Sequence, residues 1–132
     1  MNKKILIVGY GSIGKKHHAL IKDLFPEVTI KFFRHNISNK NKSLNTDLYT
    51  LDEVKDFNPE ISFICNPASN HIDQAIKLGS IGSHLFIEKP LALNMNGIST
   101  LKKIIKNNKL IVQIGYNLRY LDSLIFLKKL IE

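Results

Sequence analysis

A glycine pattern near the amino terminus constrains this chain more than any other feature. Gly9, Gly11 and Gly14 follow the apolar run 5–8 directly and open a segment with helical periodicity. In this context the first glycine allows a tight turn, the second lets a pyrophosphate approach the backbone, and the third lets the helix pack on the strand. Free N–H groups at the helix start attract phosphate. The pattern predicts a dinucleotide-binding loop, whose residues are Gly9, Tyr10, Gly11, Ser12, Ile13 and Gly14.

Short apolar runs alternate with helical patterns along the rest of the chain. The predicted strands span 5–8, 28–33, 61–65, 85–87 and 110–114. The predicted helices span 13–24, 51–57, 69–78, 96–107 and 118–131. We expect a cap at Ser69, a helix end at Gly79 and Gly82, and a polar loop over 36–45. This alternation predicts an α/β fold with a doubly wound parallel sheet.

The end of the second predicted strand bears on cofactor choice. An NAD site usually has an Asp or Glu about 20 residues beyond the glycines, where it holds the ribose 2′-hydroxyl. No acid occurs between Glu27 and Asp47, and Arg34 and His35 follow the strand instead. A guanidinium such as that of Arg34 can pair with a 2′-phosphate and stack on adenine. We therefore predict that NADP is the cofactor, with NAD as the alternative.

The net charge bears on which kind of partner the chain binds. Nineteen Lys and Arg against eleven Asp and Glu give a net charge of +8. The lysines are scattered along helical patterns rather than grouped, so we expect solvated helix faces and no nucleic-acid partner. No apolar stretch approaches the roughly 20 residues that cross a bilayer, and no secretory signal is present. These features predict a soluble cytoplasmic protein whose lone Cys65 is a buried thiol.

Three further motifs follow the predicted strands. They read C-N-P-A-S-N-H at 65–71, E-K-P-L-A at 88–92 and G-Y-N-L-R-Y at 115–120. With the glycine loop, they resemble the amino-terminal domain of the glucose–fructose oxidoreductase and inositol dehydrogenase family (Gfo/Idh/MocA). The resemblance covers nearly the whole chain. It implies a Rossmann NAD(P)-binding domain and an oxidoreductase that transfers hydride between a nicotinamide and a hydroxyl-bearing carbon of a sugar, nucleotide sugar or cyclitol.

The resemblance also implies roles for residues along the cofactor. Asn66, Pro67 and His71 match the family segment that lines the ribose and pyrophosphate. Glu88 matches the acid that contacts the nicotinamide-side ribose. We therefore expect all four residues at the cofactor site.

A second group of matches points to the substrate. Lys89 matches the family lysine that reaches the nicotinamide and the substrate, and Asn117 and Arg119 match the segment that enters the active-site cleft. A lysine at the carboxyl end of a strand can hold a substrate hydroxyl and assist proton transfer. We therefore predict Lys89 as the catalytic residue and Asn117 as a further cofactor-binding residue.

The resemblance departs from the family pattern at the end of the chain. Family members carry a second, longer α/β domain that supplies most of the substrate pocket and an Asp/His pair for proton transfer. This chain stops at Glu132, and no Asp-x-x-x-His follows the last predicted strand. We expect a Rossmann domain over 1–117, a helix over 118–132 that leads into the absent domain, and a truncated chain or gene fragment without activity of its own.

The histidines show no ligand spacing for a metal, so no metal site is predicted. The residues concerned are His17, His18, His35 and His84. The last predicted helix carries a broad apolar stripe, and we expect a homo-oligomer that buries it. The alternative is a helix that folds back on the sheet of a monomer. The stripe comprises Leu121, Leu124, Ile125, Leu127, Leu130 and Ile131.

A non-enzymatic regulatory domain that senses NAD(P) is the alternative function, because such domains are also single Rossmann units of this size. They would usually show an acid after the second strand and have no reason to carry Glu88, Lys89 and Pro90. An open reading frame that continues past Glu132 would favour the enzyme.

Overall fold

The structure, a computed structural model, describes residues 3–34 and 46–131. Within these residues, all strand pairs are parallel and form one six-stranded sheet. The strands are β1 Lys4–Val8, β2 Thr29–Phe33, β3 Asp47–Leu48, β4 Ile61–Ile64, β5 His84–Ile87 and β6 Val112–Ile114. Their order in the sheet is β3-β2-β1-β4-β5-β6. This is the strand order of a dinucleotide-binding Rossmann sheet, so the predicted doubly wound α/β fold is confirmed.

Helices connect the strands. They are α1 Ser12–Leu24, α2 Leu51–Phe57, α3 His71–Ser80, α4 Ile98–Asn107 and α5 Asp122–Ile131, with short 3₁₀ turns at Ala68–Asn70 and Asn117–Tyr120. Each helix in the described part of the chain is too short or too polar to cross a lipid bilayer.

The central strand β1 is buried on both faces. Leu6 and Val8 belong to a core with residues of α2, α3 and α4, whereas Ile5 and Ile7 belong to a second core with Ile21 of α1. Alternate side chains of a strand point to opposite faces, so helices on both sides require a continuous apolar run. This double burial explains why β1 reads as an uninterrupted apolar segment and places its carboxyl end at the centre of the sheet.

The structure corrects the predicted limits of α3. The helix begins at His71 after the 3₁₀ turn rather than at Ser69, and it continues through Gly79 to Ser80. A Cβ atom at Gly79 would lie 3.1 Å from Ile104 and 3.2 Å from Leu110. Glycine at this position therefore lets α4 pack closely, and it does not end the helix as predicted.

The carboxyl-terminal helix is shorter than predicted. Residues Asn117–Tyr120 form a 3₁₀ turn, Leu121 is extended, and α5 starts only at Asp122. A carboxylate in the first turn is favourable at the positive end of the helix dipole, which explains the start at Asp122. No residue of α5 is buried, and Leu124, Leu127 and other apolar side chains of the stripe lie in solvent.

Strand β3 was not predicted. It has two residues, too few for any periodicity to show in the sequence. Backbone hydrogen bonds hold it at the sheet edge: the N–H of Phe32 donates to the Thr46 carbonyl, and the N–H of Arg34 donates to the Leu48 carbonyl. The loop predicted over 36–45 lies outside the described residues. The consequence for the site is that Asp47 is placed beside the end of β2.

Candidate functional site

A cavity of about 610 Å³ opens at the carboxyl ends of β1, β2 and β4. It lies where the strand order reverses, between β1 and β4, and open α/β sheets bind ligands at this point. Three loops that are distant in sequence meet there. The residues that line the cavity are Gly9, Tyr10, Gly11, Phe33, Arg34, Cys65, Asn66 and Pro67.

The glycine loop has the shape that its sequence predicts. Gly9 adopts φ +98°, a conformation that side chains rarely allow, and its N–H donates to the Phe33 carbonyl at 3.0 Å. A Cβ at Gly14 would overlap the carbonyl oxygen of Gly9, so only glycine lets α1 start so close to β1. A Cβ at Gly11 would meet no atom within 4 Å, because Gly11 faces open space at the start of α1. The loop therefore leaves room for a phosphate at the helix N-terminus.

Asn66 supplies an independent indication of a ligand. Its side-chain Nδ2 and Oδ1 are both buried, and neither has a hydrogen-bond partner in the described part of the chain. Leaving a buried polar group unsatisfied costs about 1–3 kcal/mol, so native structures seldom tolerate it. A ligand with hydroxyl or amide groups in the cavity would satisfy the amide. The residues present therefore fit a dinucleotide.

His71 lies behind the cavity rather than facing it. The ring is 1% exposed, with Nδ1 2.8 Å from the Pro90 carbonyl oxygen and Nε2 2.8 Å from the Asn66 carbonyl oxygen. A neutral imidazole can donate a hydrogen bond to only one of these two carbonyls, whereas an imidazolium can donate to both. In either form the ring lies between the loop after β4 and the loop after β5 and contacts both. His71 therefore supports the loop that bears Asn66, and its ring does not line the cavity itself.

The acid of the E-K-P motif turns towards α1. Glu88 Oε1 lies 2.7 Å from His17 Nε2, and the His17 ring packs against Phe63 and Phe86 at centroid distances of 5.3 and 5.2 Å. Lys89 is exposed beside it. The pairing of His17 with Glu88 was not predicted. The position of His17 could have indicated it, because His17 lies almost one helical turn after Gly14 and therefore on the side of α1 that faces the sheet.

Asn117 lies at a different hollow. This hollow of about 260 Å³ adjoins the end of β6 and is lined by Phe86, Gln113, Ile114, Gly115, Tyr116, Asn117 and Tyr120. A Cβ on Gly115 would lie 3.3 Å from Glu88 Oε2, so the hollow is close to the E-K-P motif. The Arg119 guanidinium lies over its neighbour Tyr120. The structure therefore places Asn117 near Glu88 but outside the lining of the glycine-loop cavity.

Arg34 is paired with Asp47, an acid for which the sequence predicted no role at the site. Its Nη1 lies 2.7 Å from Asp47 Oδ2, and its guanidinium carbon lies 4.9 Å from the centre of the Tyr10 ring. The Asp47 side chain is fully buried. Asp47 pairs in register with Phe32, so a prediction of β3 would have located it. His35, the other residue predicted here, lies outside the described residues.

The Cys65 thiol borders the cavity and is half-buried. Burial raises its pKa from 9.0 to about 12, and the negative charge of Glu88 adds to the rise. Thiols react as thiolates, so the folded protein holds Cys65 in its unreactive form at neutral pH. The expectation of full burial was too strong, because the thiol lies at the rim of the second core rather than inside it.

Comparisons with known proteins agree with this geometry. The family model Gfo/Idh/MocA, described as an oxidoreductase family with an NAD-binding Rossmann fold, matches residues 3–116. Glucose-6-phosphate 3-dehydrogenase of Bacillus subtilis is 25% identical over 98% of this chain and 38% of its own length. The scyllo-inositol 2-dehydrogenase (NADP(+)) IolW of the same organism is 23% identical over 98% of this chain and 37% of its own length.

A solved structure has a similar fold. The crystal structure of myo-inositol 2-dehydrogenase from Lactobacillus plantarum superposes with a TM-score of 0.80 and 26% identity, covering 99% of this chain and 41% of that one. The chain thus spans about two fifths of the length of the curated relatives it matches.

The raised pKa of Cys65 predicts resistance to alkylation. At pH 8 a thiol with a pKa of about 12 is ionised in about one molecule in ten thousand, so iodoacetamide should label the folded chain far more slowly than the urea-unfolded chain. The raised pKa also contributes stability that is fully present below pH 9 and is lost as pH rises from 9 towards 12. Mass spectrometry after timed labelling measures the first effect.

Cys65→Ala is the control for the second effect. Between pH 8 and pH 11 its free energy of unfolding, measured in urea, should fall less than that of the wild type. Equal labelling rates in the folded and unfolded chains would show that the thiol is not protected.

Proposed function

Since the chain belongs to the Gfo/Idh/MocA oxidoreductase family, we propose that it is the nucleotide-binding part of an NAD(P)-dependent dehydrogenase. Its substrate would be a hydroxyl group of a sugar, nucleotide sugar or cyclitol. One observation carries this proposal: the glycine loop and Asn66 line the same cavity at the reversal point of the sheet, and the Asn66 amide has no hydrogen-bond partner among the described residues. A phosphate at the glycine loop and a polar ligand group near Asn66 would suit such a cavity.

In this proposal the cofactor extends across the carboxyl edge of the sheet. The glycine loop and the start of α1 would hold the pyrophosphate, because the first N–H groups of a helix have no acceptor of their own. Asn66 and Pro67, which line the same cavity, would contact the ribose side, and Arg34 would contact the 2′-position of the adenosine ribose. Glu88 and Asn117, at the hollow beside β6, would contact the nicotinamide end.

The nicotinamide supplies the hydride chemistry when it is bound. Lys89 would hold the substrate hydroxyl and assist proton transfer at that oxygen, since its ammonium group is exposed at the end of β5. His71 holds the loops on either side of this position through the carbonyls of Asn66 and Pro90. In this proposal the chain's own residues would bind and orient the cofactor, and Lys89 would carry the proton.

Relatives and charge both support the proposed substrate class. Two relatives are named for glucose 6-phosphate and scyllo-inositol as their substrates. A net charge of +8 suits an anionic cofactor and favours a substrate that carries phosphate or another anionic group. A free thiol and a nicotinamide cofactor both suit the cytoplasm, which we propose as the location.

We propose NADP as the preferred cofactor. Strand β2 ends at Phe33 and Arg34 follows it, at the position where an acid would repel a 2′-phosphate. The relative IolW carries NADP(+) in its name, which supports this choice. A charge-assisted contact contributes about 1.5–3 kcal/mol, equal to about a tenfold to hundredfold difference in affinity. Because Arg34 is also paired with Asp47, we expect a preference at the lower end of that range.

Dinucleotide binding by the glycine loop is tested with Gly11→Val. The added side chain should be accommodated without a steric clash, because a Cβ at Gly11 meets no atom within 4 Å, yet it should occupy the space of the pyrophosphate. We expect binding of NADP and NAD to fall at least about a hundredfold in calorimetric titrations. Ala19→Val adds similar bulk on the exposed side of α1 and should retain wild-type affinity. Wild-type affinity in a folded Gly11→Val protein would refute the proposed cradle.

The role of Arg34 is tested with Arg34→Ala. The variant should lose about tenfold in NADP affinity with little change for NAD, because only NADP has a phosphate at the 2′-position. Arg119→Ala is the control, since Arg119 lies over Tyr120 and away from this cavity. An unchanged ratio of the two dissociation constants in Arg34→Ala would contradict the assignment.

We predict that the 132-residue chain alone gives no steady turnover. Lys89 is exposed, and efficient proton transfer at a substrate oxygen needs a second acid–base group and a site closed to water. Absorbance at 340 nm with myo- or scyllo-inositol should therefore match that of Lys89→Ala, with either cofactor. Sustained reduction of the cofactor by the wild-type chain would refute this prediction.

We also propose that the chain associates through α5. Leu124 is 41% exposed and Leu127 is 51% exposed, and association tends to bury such apolar faces. Static light scattering at micromolar concentration should show a dimer or larger assembly, and Leu124→Glu with Leu127→Glu should convert it to a monomer. Phe25→Glu alters an exposed apolar residue at the end of α1 and should leave the assembly intact. A wild-type monomer would contradict the proposal.

A further inference from the structure

The corner of the cavity at the end of β2 contains a charge pair rather than an isolated cation. Arg34 Nη1 contacts Asp47 Oδ2 at 2.7 Å. The Arg34 side chain is 17% exposed, and that of Asp47 is 0% exposed. The arginine therefore lies between solvent and the buried carboxylate, and it borders the cavity while Asp47 does not.

The carboxylate is held firmly behind the arginine. The Tyr49 hydroxyl lies 3.3 Å from the same Oδ2 oxygen, and strand pairing places Asp47 opposite Phe32. Oδ1 is buried and has no hydrogen-bond partner in the described residues. A buried carboxylate is poorly screened by solvent, so its negative charge acts strongly on the adjacent Arg34.

The guanidinium is also oriented by an aromatic face. Its carbon lies 4.9 Å from the centre of the Tyr10 ring, and Lys15 Nζ lies 4.8 Å from the same ring. Among the described residues, the charged groups at this corner are those of Arg34, Lys15 and Asp47. One face of the Arg34 guanidinium lies over the Tyr10 ring, Nη1 is paired with Asp47, and the residue borders the cavity, so the positive charge that it offers there is offset by the carboxylate.

We propose that Asp47 sets the cofactor selectivity of this site by neutralising Arg34. The inference rests on the proposed function, because it concerns the same dinucleotide site. A 2′-phosphate must compete with the Asp47 carboxylate for the Arg34 guanidinium, whereas the uncharged 2′-hydroxyl of NAD gains little from that charge. Asp47 therefore weakens NADP alone, and it holds the wild-type preference for NADP at about tenfold or less.

Asp47 acts here as a positioning and specificity-determining residue and not as a ligand, because it is fully buried behind Arg34. Arg34 by itself would favour NADP strongly, and the charge pair turns the site into one that accepts both cofactors. The acid that an NAD site normally offers to the ribose is present at this corner, but it comes from β3 and acts through the arginine.

The test measures dissociation constants of NADP and NAD by calorimetry for the wild type and Asp47→Asn. The amide can still accept the hydrogen bond from Arg34, but the negative charge is gone. We expect NADP affinity to rise about tenfold while NAD affinity stays within about twofold. Tyr49→Phe removes the hydroxyl from the same oxygen without changing charge, and its ratio should equal that of the wild type.

The double variant Arg34→Ala with Asp47→Asn shows whether the effect passes through the arginine. Its NADP to NAD ratio should equal that of Arg34→Ala alone, because no guanidinium remains to be neutralised. An unchanged or lower NADP preference in Asp47→Asn overturns the inference, as does a rise in the ratio that persists without Arg34. Failure of the wild type to bind either cofactor would instead refute the proposed function.

Unchanged NAD affinity also reports that each variant is folded. Asp47→Ser is a second neutral variant of smaller volume, and it should shift the ratio in the same direction as Asp47→Asn. The wild-type chain provides a measurement that needs no substitution: a preference for NADP clearly above about tenfold would overturn the inference.

Discussion

The close approach of α1 to β1 is the constraint on which the site depends. Gly14 touches the Gly9 carbonyl so closely that a single added methyl group would separate the helix from the strand. Because β1 is buried on both faces, it cannot shift to make room. The start of α1 is therefore held above the carboxyl end of the central strand, and the loops after β2 and β4 complete the cavity around this point.

The features that could be predicted are those written in local sequence. The apolar run of β1, the three glycines after it and the alternation of strands and helices are visible without any tertiary knowledge. The parallel α/β fold was therefore predicted correctly, whereas phosphate binding by the glycine loop stays a prediction. Arg34 could be placed at the end of β2 because it directly follows a β-rich segment. The E-K-P motif was likewise located after the right strand.

What could not be predicted depends on contacts between distant segments. Strand β3 has two residues and owes its existence to pairing with β2, so the role of Asp47 beside Arg34 was hidden. Gly79 looked like a helix end, and only the neighbouring α4 shows why the helix continues through it. The orientation of Glu88 towards His17 similarly follows from how α1 crosses the sheet, which no motif in the sequence specifies.

The ring of His71 joins two loops that would otherwise be independent. One nitrogen meets the carbonyl of Asn66, beside the cavity, and the other meets the carbonyl of Pro90, next to Lys89. Movement of either loop must therefore break its contact with the ring or carry the ring and the other loop with it. A linkage through such a ring acts equally in both directions. In the proposed dehydrogenase, cofactor and substrate would then affect each other's binding through a single side chain that touches neither.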